Sequence, residues 1–104
     1  MTFGQVIAQA RQRAGLSQKH LATRVRKEDG KPISPQYLND IKHDRRGAPS
    51  DHLIRRFARL LAIKVEYLYY LAGELPADIK GQEVDEATVV AAYEAFRRKL
   101  RAAR

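Results

Sequence analysis

Apolar residues recur along this chain at intervals of three and four almost throughout, and no stretch shows the strict alternation of a half-buried strand. The pattern predicts an all-α fold. Helix starts are marked by side-chain oxygens able to accept from the free amides of a first turn, at Thr2, Ser17, Ser34, Ser50 and Asp85, so at least five helices are expected. Leu16, Ile33 and Val84 precede three of these caps and stand five residues before Leu21, Leu38 and Val89, the spacing of a hydrophobic staple. Thr2 and Gln5 have the spacing of a capping box.

The first helix is expected over residues 3–14, with Val6, Ile7 and Ala10 inward and Gly15 ending it in a left-handed turn. A second, over residues 18–26, turns Leu21, Ala22 and Val25 to the core. "RKEDGKPI" (26–33) is charged and contains Gly30 and Pro32, which makes it a turn or small loop. The third helix starts at Pro35, whose fixed φ suits the first helical position, and ends near His43. After "DRRGAP", a fourth over residues 51–62 turns Leu53, Phe57, Leu60 and Leu61 inward, and a fifth covers 65–72 before Gly73 and Pro76. Residues 74–84 read as a connector. The last helix, 86–104, sets Val89, Tyr93, Phe96, Leu100 and Ala103 in steps of four and three, the seam spacing of packed helices. The expected organisation is a five-helix unit over residues 1–75 and an additional C-terminal helix within 76–104 for dimerisation or docking.

The third helix is the unusual one. With Leu38 and Ile41 turned to the core, Gln36, Tyr37, Asn39, Asp40 and His43 project outward. Gln and Asn match the donor and acceptor edge of adenine, Asp accepts from the cytosine amino group, and a Tyr ring meets a thymine methyl. Ser17, Gln18 and Lys19 open the preceding helix and Arg45 and Arg46 follow this one, so phosphates could be held on both flanks, with His43 among the contacts. A solvated polar face has the same composition, and the residues alone leave both readings open.

Charge narrows the partner. With 20 Lys+Arg against 12 Asp+Glu in 104 residues, the net charge is +8, and the field attracts a polyanion such as nucleic acid or an acidic membrane. The absence of cysteine excludes disulfides and thiolate sites and fits a reducing cytoplasm. No apolar run approaches the roughly 18 residues of a membrane span, and no signal segment opens the chain, so a cytoplasmic protein is expected.

Three stretches carry a resemblance: "ARQRAGLSQKHLATRV", with Arg11, Gly15, Leu16, Ser17, Gln18, Leu21, Ala22 and Val25; "SPQYLNDIKHDRRGAPS", with Leu38 and Ile41; and "LIRRFARLLAIKVEYL". Residues 3 to about 75 resemble the lambda-repressor-like, or Xre, helix-turn-helix family, five helices of which the second and third form the motif. The resemblance implies that Gln18 bonds a phosphate, that Gln36 leads the base reading, and that Tyr37 and Asp40 occupy other groove-facing positions. Lys42 stands where the family commonly has an acid that pairs with Arg11, leaving Asp44 as a substitute. The turn between the motif's helices is longer than the family minimum. Lys64 replaces the usual cap of the fifth helix, and Ala62 a usual glycine.

His20, His43 and His52 lack the spacing and partners of a metal site, no nucleophile stands beside an oriented base, and no glycine-rich phosphate loop is present. An enzyme is not expected, and no metal or cofactor is assigned. "YLYYL" holds Tyr67, Tyr69 and Tyr70, which one helix face cannot bury together, so Tyr69 and Tyr70 join Val89, Tyr93, Phe96 and Leu100 as dimer or docking candidates. The expected molecule is a transcriptional regulator of bacterial or phage type, a homodimeric repressor reading a palindromic operator in double-stranded DNA. The competing reading is a protein-interaction module, such as an antitoxin or adaptor, that uses the Tyr-rich helix and the C-terminal helix. The end "RRKLRAAR" holds five basic residues and no acid, and a basic amphipathic helix can also lie on a membrane, but the seam is narrow and alanine-rich.

Overall fold

A computed structural model of the chain describes residues 1–103, which form α1 (Phe3–Arg13), α2 (Gln18–Arg24), α3 (Pro35–Lys42), α4 (Asp51–Leu61), α5 (Val65–Ala72), α6 (Ala77–Lys80) and α7 (Glu86–Ala102). Arg104, the last residue of the expected final helix, lies outside them. Thr2, Ser17, Ser34, Ser50 and Asp85 each accept a backbone N–H of the turn they precede, and Thr2 with Gln5 closes a capping box. These local bonds satisfy amides that have no partner within the helix. Gly15, at φ 71°, ends α1, with the Leu16 amide reaching back to the Arg11 carbonyl. α6 breaks the connector expected over 74–84.

The core is shared by α1 to α5. α1 packs against α3, α4 and α5, α2 against α3, and α4 against α5. Val6, Ile7, Ala10, Leu21, Ala22, Val25, Ile33, Leu38, Ile41, Leu53, Phe57 and Leu61 are buried as expected; Leu60 is half-buried at the edge. Ile54, Ala58 and Leu68 join them, and Phe3 meets Phe57 edge-on with ring centroids 6.3 Å apart. Full burial of a Leu, Ile or Phe side chain is worth about 1.5–3 kcal/mol, so this cluster holds the domain together.

α2 stops at Arg24, two residues short of the expected end. Val25 leaves helical geometry, and Arg26 pairs with Pro32 in an isolated antiparallel bridge. The Lys27 amide bonds the Lys31 carbonyl at 2.9 Å and the Ile33 amide bonds the Val25 carbonyl at 2.9 Å, with Gly30 turning at φ 83°. The link between α2 and α3 is therefore a tight hairpin. Ser50 donates to Glu28 and His52 Nε2 bonds the Arg26 carbonyl at 2.9 Å, tying it to the start of α4.

α4 ends on Ala62 in the left-handed region, φ 54° and ψ 44°, and no side chain caps α5 at Lys64. A Cβ in that region costs about 1–2 kcal/mol, partly offset by the greater entropy that glycine loses on folding. Ala62→Gly is expected to stabilise the domain by about 0.5–1 kcal/mol, measured as a raised midpoint in urea unfolding. A lowered midpoint would contradict this account of the turn.

Candidate nucleic-acid interface

The geometry of α3 follows from its two anchors. Leu38 and Ile41 are 2% and 4% exposed, and this fixes the rotation of the helix against α1 and α2. Gln36, in the first turn, is exposed; Tyr37, Asn39 and Asp40 are half-buried along the flank; His43, Arg45 and Arg46 are exposed at and beyond the C-terminal end. At the start of α2, Ser17 Oγ accepts from the His20 amide, Lys19 is exposed, and Gln18 Nε2 reaches the Pro35 carbonyl at 3.4 Å. That last contact brings the first turns of α2 and α3 together.

Asp40 is the centre of this face. Its Oδ1 accepts from Gln36 Nε2 at 3.0 Å and from Arg45 Nε at 3.2 Å, and its Oδ2 from Arg46 Nε at 3.4 Å. The side chain is 17% exposed. Burial pushes the carboxyl up, but the bonds from Arg45, Gln36 and Arg46 outweigh it and hold the group below the usual carboxylate range. Asp40, expected as a base reader, thus has most of its acceptor sites engaged by three neighbours. Arg46 also lies over the Tyr37 ring, 4.8 Å from its centroid. Burial raises the Tyr37 hydroxyl above its ordinary value, so the phenol stays neutral.

Two expectations are corrected here. Asp44 does not replace the missing partner of Arg11. It accepts from Thr2 Oγ1 at 2.6 Å and from the Gly4 amide at 3.0 Å, capping α1 from across the fold, while Arg11 donates to the Leu16 carbonyl at 2.7 Å and braces the turn into α2. Tyr69, expected at a dimer or docking surface, is 5% exposed within the core, and its hydroxyl donates to Asp51. The Tyr69 hydroxyl holds Asp51 below the usual carboxylate range, and burial with the nearby Asp51 raises Tyr69. A sequence signal for this pairing existed, an acid in the first turn of the fourth helix, but nothing in it specified the partner.

Tyr67 and Tyr70 are exposed, as are Val89, Tyr93, Phe96 and Leu100 along α7. The Phe96 ring meets the Tyr70 ring edge-on, 6.2 Å between centroids, but α7 buries none of its residues. The staple expected between Val84 and Val89 leaves both residues exposed. Among the described residues no cluster of His, Asp and Glu could hold a metal, and no helix is long and apolar enough to cross a membrane.

An exposed polar helix held across a second helix by two aliphatic anchors, with a basic loop behind it, is the arrangement of a helix-turn-helix DNA-binding domain. The helix-turn-helix domain family matches residues 2–66, and the chain belongs to that family. No curated protein matches it in sequence. In structure it is similar to a solved SinR protein/SinI protein complex, at 23% identity and a TM-score of 0.54, over 91% of this chain and 79% of that one. At that identity the likeness is one of fold.

Proposed function

We propose that this chain is a sequence-specific transcriptional repressor of the Xre type from a bacterium or phage, acting in the cytoplasm as a homodimer on a palindromic operator. Residues 1–75 bind DNA and 76–104 join the copies. α3 enters the major groove, with Ser17, Gln18, Lys19, His43, Arg45 and Arg46 toward the phosphates. Occlusion of a promoter is the mechanism that needs no further part.

The observation that carries this reading is the amide of Gln36. A carboxylate only accepts, so Asp40 must face the amide nitrogen, and that fixes which way the Gln36 head group points. The second Nε2 hydrogen and the free Oε1 remain as an adjacent donor and acceptor, the pair that adenine N7 and N6 complement. Asp40 thus acts as a positioning residue. Tyr37 and Asn39 supply the flanking contacts.

Selection of binding sites from random duplex DNA, at near-physiological salt to suppress non-specific phosphate attraction, tests the proposal. The expected product is a palindrome with an adenine in each half-site and half-sites about 10 base pairs apart. Failure of a folded protein to enrich any sequence would sink it. A second reading is favoured by the open face of α7: the similar solved structure is a complex with a second protein, and a partner chain seated on α7 would make this an antitoxin-like or adaptor module.

A further inference from the structure

We infer that α7 pairs antiparallel with α7 of a second copy, on a two-fold axis that crosses the helix between Tyr93 and Phe96. The inference rests on the homodimer proposed above and adds its geometry. α7 is 17 residues long and none is buried, while Val89, Tyr93, Phe96 and Leu100 stay 40%, 46%, 47% and 43% exposed in a single stripe. Such a continuous apolar stripe marks an interaction surface.

Two properties of the stripe select its occupant. The first is its spacing. Leaving out the small Ala103, which lies past the end of α7, the four large seam residues Val89, Tyr93, Phe96 and Leu100 are separated by four, three and four residues, a sequence of steps that reads the same from either end. A two-fold axis at its middle therefore lays Val89 against Leu100 of the second copy and Tyr93 against Phe96 of the second copy, and each seam residue meets its counterpart in an isologous contact. The second is charge. Glu83, Asp85, Glu86 and Glu94 occupy the stretch 82–95 with no basic residue, whereas Arg97, Arg98, Lys99 and Arg101 follow within 96–101 with no acid. Antiparallel pairing sets the acidic start beside the basic end and opposes the two helix dipoles; parallel pairing gathers four bases of each copy at one end. Tyr70, 56% exposed and touching Phe96, extends the same surface onto α5.

The absence of cysteine makes the test clean. Single variants Val89→Cys and Leu100→Cys, both on exposed positions, are oxidised separately and after mixing, and covalent dimers are scored on non-reducing gels beside sedimentation of the unmodified chain. The expected result is a dimer in sedimentation and a disulfide dimer at least several-fold more abundant in the mixture than in either variant alone, because only the mixed pair brings two Cβ atoms within bonding reach. Equal self-linking of V89C alone would mean parallel helices and overturn the inference. A sedimenting dimer with no disulfide in any sample would place the contact elsewhere, overturning the seam but leaving the homodimer intact. A monomer at micromolar concentration would overturn both and leave α7 to a different protein.

Discussion

Gly4→Ala is expected to lower the stability of the domain by about 3 kcal/mol, the upper end of the cost of overpacking a closed site. Gly4 is buried in the first turn of α1, where that helix runs directly onto the end of α3. A Cβ there would press into the Ile41 carbonyl oxygen and stand 2.7 Å from the Lys42 carbonyl oxygen and 2.9 Å from Asp44 Oδ1. Two of these atoms belong to the backbone of α3 and cannot swing aside, so relief requires the helices to separate. Separation also stretches the bond from the Gly4 amide to Asp44, now 3.0 Å. The melting temperature followed by circular dichroism should fall by on the order of 15 °C. Gly47→Ala is the control, because nothing lies within 4 Å of the position a Cβ would take there. A Gly4 variant melting with the wild type would show that α1 and α3 can part without cost.

Gln36→Ala is expected to cost about 1–3 kcal/mol per half-site, a loss of roughly five- to 150-fold in affinity for each, and to relax the preference at one base pair of each half-site. The exposed amide has no part in the core, so the folded state should be unchanged. Lys19→Ala should behave differently, weakening every sequence to a similar degree and reducing the salt slope by about one for each copy bound. The two variants are compared by fluorescence anisotropy on the selected duplex and on random DNA across a salt series. Equal losses for Gln36→Ala on both duplexes would remove it from base reading, and a sequence-dependent loss for Lys19→Ala would remove that residue from the phosphates.

The features legible in the sequence are those made by neighbours along the chain. A cap needs only an oxygen two or three residues before an amide, which is why Thr2, Ser17, Ser34, Ser50 and Asp85 could be read directly. The aliphatic anchors of α3 were equally plain, since Leu38 and Ile41 are three apart with polar residues between them. What escaped depends on the fold closing. The hairpin after α2 rests on the Ile33 amide bonding Val25, eight positions back, and the Asp44 cap of α1 spans forty residues to Gly4. Nothing local predicts either bond. Tyr69 illustrates the same limit: three tyrosines in four residues guarantee that some are exposed, but which one is buried follows from where Asp51 comes to rest. Asp40 was legible as an acid on the outer flank of its helix, and its engagement by Arg45 and Arg46 waited on the path of the loop that follows.

α3 buries only Leu38 and Ile41 and leaves Gln36 exposed, held by Asp40. Exchanges on a surface away from caps and buried contacts usually change stability by no more than about 0.5 kcal/mol. If α3 reads bases as proposed, fold and address are stored in different residues of the same eight-residue helix. On the proposed reading, a lineage carrying this chain can change the side chain at position 36 at little cost to the scaffold, and the carboxylate of Asp40, which couples that head group to the arginines beyond the helix, is a brake on such drift.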